Sequence, residues 1–241
     1  MTTWKLLNTL LDCSTLRTLY ISGPPGIGKT YGAYRRGLNG RALYALTLTE
    51  DTPAAELRGH YVPKGSEFLW HHGPACRAML DGARLVLNEV SHSGPDVQSI
   101  LYAILESPET ARLTLPTGET IRPAPGFQCI LTDNVSVAEL AAPLRDRIDA
   151  AIQVDTPAPE AIEAFPEALR NIVVQSASAR DARRISLRSW EAFDRLMSGA
   201  MTIEEAGQAV FGARWEGIQT SLKVALAASG KVVASVEKEE E

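Results

Sequence analysis

The feature that most restricts what this chain can become is the run Gly23-Pro24-Pro25-Gly26-Ile27-Gly28-Lys29-Thr30, which satisfies a phosphate-loop pattern. An apolar run over residues 16–22 stops at Gly23 and predicts a buried strand feeding the loop, and a helix is expected over residues 29–38. Strand, glycine turn and helix in that order open a parallel α/β sheet. Glycines let backbone N–H groups converge on phosphate oxygens with no side chain in the way, and the helix N-terminus adds its dipole. Lys29 is expected to reach a nucleotide's β/γ-phosphates, and Thr30 to ligate magnesium through its hydroxyl. With Tyr31, which follows, these residues form the candidate nucleotide-binding set.

The rest of the chain continues the α/β alternation. Strands are predicted over residues 41–48, 84–87, 127–132 and 150–154, and helices over 74–81 and from Val97 through Ile100, Leu101, Ile104 and Leu105 towards a stop at Pro108. Two hairpins interrupt it. The first is read within residues 50–73, turning at Pro63-Lys64-Gly65-Ser66, and the second joins residues 112–115 to 120–122 around Pro116-Thr117-Gly118-Glu119. Strands separated by crossovers imply a parallel sheet covered on both faces. After Asp155-Thr156-Pro157-Ala158-Pro159 everything reads as helix, clearest over 186–197, 202–210 and 215–228, where Trp215, Ile218, Leu222 and Ala225 share a face. A boundary there gives a core over residues 1–156, with hairpins near 59–73 and 111–123, and a helical unit over 157–241. The acidic tail from Glu237 is expected to fray.

Three further motifs carry chemistry. Leu85-Val86-Leu87-Asn88-Glu89 delivers two polar side chains at the end of a buried strand, where α/β ligands bind. Most phosphate-loop ATPases place Asp at the position of Asn88; Asn accepts a hydrogen bond from magnesium's water but brings no charge, so weaker metal binding and slow turnover are expected. Glu89 is the candidate for orienting or deprotonating the attacking water. Asn134, in Thr132-Asp133-Asn134, can bridge a γ-phosphate and that water. Arg145 and Arg147 flank Asp146 on a loop before the last strand, and guanidinium suits phosphate charge that builds in a transition state.

These elements, in this order, resemble the AAA+ family. The run Leu57-Arg58-Gly59, then Tyr61, Trp70, Gly73-Pro74, Asn88-Glu89 and Val97-Gln98 is similar to its MoxR and CbbQ-type branch. The resemblance implies an AAA+ sheet of five parallel strands flanked by helices, with a small α-helical lid. It implies ATP and Mg2+ as cofactors, held by the loop with Thr30 and Asn88 at the metal. Asn134 is then sensor 1, Arg147 or Arg145 the arginine finger, and Arg188 in Ser186-Leu187-Arg188 the lid's sensor 2. The two hairpins correspond to the helix-2 and presensor-1 insertions, which in relatives face the ring pore or the partner. A finger acting in trans implies a closed ring, most often a hexamer, and many members of the branch work with a von Willebrand factor A domain protein. With little before the first strand, client recognition is expected to fall to loops or to another protein.

Composition narrows the alternatives. A net charge of −5 argues against an electrostatic footprint for nucleic acid. Cys13, Cys76 and Cys129 show no close pairing, which reads as three buried thiols in a reducing compartment. No signal peptide or spanning run is evident, so a cytoplasmic protein is expected. His71, His72 and Cys76 lack a fourth ligand for zinc. The leading expectation is an ATP-driven remodeller or activator of a protein complex. Beside it stand a nucleotide-gated assembly module with slow hydrolysis, a nucleic-acid-linked motor and a small-molecule kinase; the lid helices and the arginine pair argue against the last.

Overall fold

The computed structural model describes residues 2–179, 183–199 and 201–228. The chain divides into two compact units, one of residues 1–24 and 29–154, the other of residues 25–28 and 155–241. Residues 229–241, with the expected acidic tail, lie outside the described residues, as does the side chain of Ala225.

In the first unit α1 (Thr3–Asp12) precedes β1 (Thr18–Ser22), α2 (Lys29–Arg35), β2 (Leu43–Thr47), α3 (Ala54–Arg58), and the hairpin β3 (Gly59–Lys64) and β4 (Glu67–His72). Then come α4 (Pro74–Asp81), β5 (Arg84–Asn88), α5 (Pro95–Ile104), the short hairpin β6 (Leu113–Thr114) and β7 (Thr120–Ile121), β8 (Gln128–Asp133), α6 (Ala142–Arg145) and β9 (Ala150–Gln153). The five core strands run in the order β2-β5-β8-β1-β9, and every neighbouring pair is parallel.

Alternation of side chains along the strands explains the packing. Leu85 and Leu87 of β5, Cys129 and Leu131 of β8 and Tyr20 of β1 share a face, and bury against Met79 of α4 and Val97, Leu101 and Ile104 of α5. Arg84, Val86 and Asn88 point the other way, towards α2. Arg84 is fully buried and its guanidinium donates to the Gln128 side chain and to carbonyls of Leu11, Ala33, Arg36 and Gly37, closing the C-terminal ends of α1 and α2. Burial draws its pKa down to about 10, so it remains a cation at neutral pH.

Two features correct the sequence reading. Residues before the first strand form a full helix, whose Trp4, Leu7 and Leu11 are buried at helical spacing. Residues 54–58 are helical before the first hairpin begins, and that hairpin turns more tightly than expected, with Lys64 paired to Glu67 around Gly65-Ser66. Of the thiols, Cys76 and Cys129 are buried, which pushes them up to about 11 and about 12, whereas Cys13 is only half-buried.

The second unit carries α7 (Pro159–Glu163), α8 (Glu167–Ala177), α9 (Leu187–Met197), α10 (Ile203–Phe211) and α11 (Trp215–Ala228). Ser186 caps α9, and Thr202 with Glu205 forms a capping box on α10. Trp190, Phe193, Phe211 and Trp215 pack ring against ring at centroid distances of 4.9–6.1 Å. Both indole N–H groups are satisfied, Trp190 by Ser176 at 2.8 Å and Trp215 by Glu204 at 2.8 Å. Gly207 permits the contact, because a Cβ there would lie 2.3 Å from the Trp215 ring.

Candidate functional site

The C-terminal ends of β1, β5 and β8 lie in register, Ser22 beside Asp133 and Asn88 beside Thr132. Lys29 opens α2 directly after the loop and is only 7% exposed. Its ammonium donates to Gly23 O at 2.6 Å, Pro24 O at 2.9 Å and Asn134 Oδ1 at 3.0 Å. The same Asn134 side chain donates through Nδ2 to both oxygens of Glu89, at 3.2 and 3.0 Å. One amide thus bridges a cation and a carboxylate.

Asn88 is saturated. Its Oδ1 accepts from Thr30 Oγ1 at 3.1 Å and Thr132 Oγ1 at 2.8 Å, and its Nδ2 donates to the Tyr34 hydroxyl at 3.2 Å and Thr47 Oγ1 at 3.4 Å. These two acceptances and two donations meet the full capacity of a primary amide. Asn88 therefore fills by hydrogen bonding a place where a carboxylate would add charge.

Glu89 sits in the left-handed region, φ 57° and ψ 47°, between β5 and a 3-10 turn over Val90–His92. That turn is held by Asp133, a side chain 1% exposed, whose carboxylate accepts from Ser91 N at 2.5 Å, Ser91 Oγ at 3.0 Å and Asn134 N at 2.7 Å. Sequence reasoning assigned no role to Asp133, Ser91, Thr132, Tyr34 or Thr47. Asp-Asn is a common turn pair, and only the parallel register of β5 with β8 and β2, together with the packing of α2, brings these residues to the site.

The loop residues 25–28 pack with the second unit. Gly26 has φ +70°, and a Cβ there would meet Ser186 Cβ at 2.8 Å, so only glycine fits. Tyr31 turns outward, half exposed, with the Arg35 guanidinium 4.6 Å from its ring centre.

The arginines differ. Arg147 is anchored within the first unit: it donates to Tyr102 O at 3.1 Å and Pro143 O at 2.7 Å and pairs with Glu106. Arg145 is exposed and donates to Ala138 O at 3.0 Å. Arg188 lies exposed near the start of α9. On the first hairpin His71 contacts Arg77 and His72 accepts from the Trp70 indole, while Cys76 of α4 donates to Arg58 O.

The residues present fit a magnesium nucleotide. Thr30 Oγ1 and Asn88 Oδ1 are adjacent neutral oxygens of the kind a hard cation shares with phosphates. Among the described residues there is no group of three or more His, Cys, Asp or Glu side chains that could hold a metal ion. Among them, too, no helix is long and apolar enough to cross a membrane.

Comparison with known proteins agrees with this geometry. The family described as AAA domain (dynein-related subfamily) matches residues 18–148. Over 118 residues the chain is 38% identical to Protein NorQ of Paracoccus denitrificans (strain Pd 1222), covering 47% of this chain and 42% of NorQ. It is 30% identical over 118 residues to the denitrification regulatory protein NirQ of Stutzerimonas stutzeri, with the same two shares. It is 27% identical over 179 residues to Protein CbbQ of Hydrogenophilus thermoluteolus, covering 71% of this chain and 64% of CbbQ. The chain thus spans less than half the length of the NorQ and NirQ proteins it matches. With a phosphate loop after β1, polar residues at the ends of β5 and β8, a five-stranded parallel sheet and this family match, the chain belongs to the AAA+ ATPases, on their MoxR/CbbQ-like branch.

Proposed function

We propose that this chain is a magnesium-dependent ATP hydrolase that uses nucleotide binding and hydrolysis to remodel or activate a partner protein complex. The observation that carries the reading is the bridge Lys29–Asn134–Glu89, with Thr30 and Asn88 beside it. Bound ATP with Mg2+ would supply the phosphoanhydride to be cleaved and neutralise part of its charge. The chain's own residues would then act in a fixed order of reach. Lys29, released from Asn134, turns its ammonium to the phosphates. Asn134 keeps one hand on Glu89, which orients a water and takes its proton. Thr30 would offer its hydroxyl oxygen to the metal, with Asn88 hydrogen-bonded beside it.

Full catalysis needs a further positive charge where the leaving phosphate develops negative charge. Arg145 fits that task better than Arg147, because its guanidinium is exposed and Arg147 is bound to Glu106 and two carbonyls. A finger supplied across protomers supports a ring, with six subunits the number expected from the branch. Arg188 would act as the lid's sensor over residues 157–241. The β3–β4 hairpin, where Tyr61, Val62, Phe68 and Leu69 are exposed, suits the handling of a protein client, directly or beside a von Willebrand factor A domain partner. That NirQ is called a regulatory protein supports control of another enzyme.

Magnesium-dependent phosphate release from the purified chain tests this. Turnover that disappears in Lys29→Ala and in Glu89→Gln supports the roles; turnover that survives in both sinks them.

The saturated amide of Asn88 favours a second reading, a nucleotide-gated assembly module that binds ATP tightly and hydrolyses it slowly. Native mass spectrometry separates the two. Rings that form with ATP and outlast many minutes of incubation favour the slow module, and rings that decay as phosphate is released favour the motor.

A further inference from the structure

Three consecutive peptide groups of the phosphate loop have their carbonyls tied down within the second unit. Pro25 O accepts from Arg184 Nη2 at 2.7 Å, Gly26 O from the backbone N–H of Leu187 at 3.0 Å, and Ile27 O from that of Ala158 at 2.9 Å. A trans peptide is planar, with its C=O and the next residue's N–H pointing in opposite directions. Anchoring these oxygens therefore turns the N–H groups of Gly26, Ile27 and Gly28 away from the three donors. Those are the amides that such a loop presents to an anion.

Two of the anchors are backbone groups that any sequence would supply. Arg184 is the side-chain anchor, and it is itself fixed: Nε donates to Ala177 O at the end of α8, at 3.0 Å, and its carbonyl accepts from Arg214 at 3.1 Å. A guanidinium is a stronger donor than an amide, and a hydrogen bond to Pro25 O polarises the same peptide unit, making the Gly26 N–H a better donor in turn. Ser186 fills the space beside Gly26, so the loop cannot relax towards it.

We propose that Arg184 is a positioning residue for nucleotide binding, which pre-orients the Gly26 amide by holding the Pro25 carbonyl. This rests on the reading of the loop as the nucleotide site. It assigns to Arg184 a task distinct from that expected of Arg188, because it acts on the loop and not on the nucleotide.

The test compares Arg184→Met, which keeps the stem and removes the donors, with Arg184→Lys, which keeps a charged donor. Binding of a fluorescent ATP analogue, ATP turnover, melting temperature and amide hydrogen exchange are measured on the full chain. For Met, Kd and KM should rise about tenfold, the equivalent of one lost charge-assisted hydrogen bond, while kcat at saturation stays within about twofold. Exchange across residues 24–30 should accelerate, and Lys should return Kd to within about threefold of the parent. A merely structural arginine would lower the melting temperature with Kd unchanged, and that result overturns the proposal, as does unchanged exchange in the loop. If Met loosens the bundle as a whole, the ratio of Kd between Lys and Arg184→Gln, both folded, decides in its place; equal values overturn it. If the parent chain binds no ATP analogue, the nucleotide reading fails by itself, and loop exchange alone decides whether Arg184 orders these peptides.

Discussion

Arg84 and Gln128 lie side by side where β5 and β8 begin, and Asn88 and Thr132 lie side by side where the same two strands end. All four are buried polar residues, at 0%, 1%, 7% and 2% exposure. At the first end the guanidinium meets five acceptors, four of them carbonyls, in a planar fork that has no alternative arrangement. At the second end Asn88 meets hydroxyls, and beside it a lysine ammonium on a flexible stem donates to two loop carbonyls and the Asn134 amide. Hydroxyls rotate and Lys29 can be redirected, so these bonds can be exchanged for bonds to a ligand. Burial is common to both ends; exchangeability is what separates a strut from a site.

That contrast can be broken most forcefully at Glu89. Glu89→Gln keeps the shape and the hydrogen bond to Asn134 but removes the base, so turnover should fall about a thousandfold, measured as steady-state phosphate release, with analogue Kd nearly constant. Unchanged turnover would erase the site from this end of the sheet. Arg84→Met should leave nucleotide affinity alone and lower the unfolding free energy by about 3 kcal/mol in a urea titration, because several buried carbonyls lose their donor together. A loss of affinity without a loss of stability would place function at the wrong end. Asn88→Asp should raise turnover about tenfold and lower the magnesium needed for half-saturation, since it adds a charge beside the metal's oxygens. The Tyr34 and Thr47 hydroxyls can rotate to donate to it; flat magnesium and rate curves would show that charge is not limiting. Thr132→Val removes one donor to Asn88 and should cost about 1 kcal/mol of stability, read by the same urea titration, with turnover reduced only severalfold.

The sequence already disclosed what depends on local order. The loop, the strand that feeds it and the polar pair ending β5 follow from residue type and spacing, and α5, α9, α10 and α11 from period and caps. Helix α1 is legible too, since Trp4, Leu7 and Leu11 recur at helical spacing. Residues 54–58 are too few for a period to show. What no local pattern contains is pairing across distance. Asp133 holds Ser91, forty-two residues away, Glu106 pairs with Arg147, and Arg184 reaches Pro25 across most of the chain. Each depends on register or tertiary approach, and an isolated Arg or Asp in a sequence says nothing about which it will meet.

Glu89 occupies a backbone conformation that side-chain-bearing residues adopt at a cost of roughly 1 kcal/mol or more. A glycine would adopt that bend without the penalty but would leave the unfolded chain freer. Under the role proposed for Glu89, that exchange would relieve the bend and remove the base in one step.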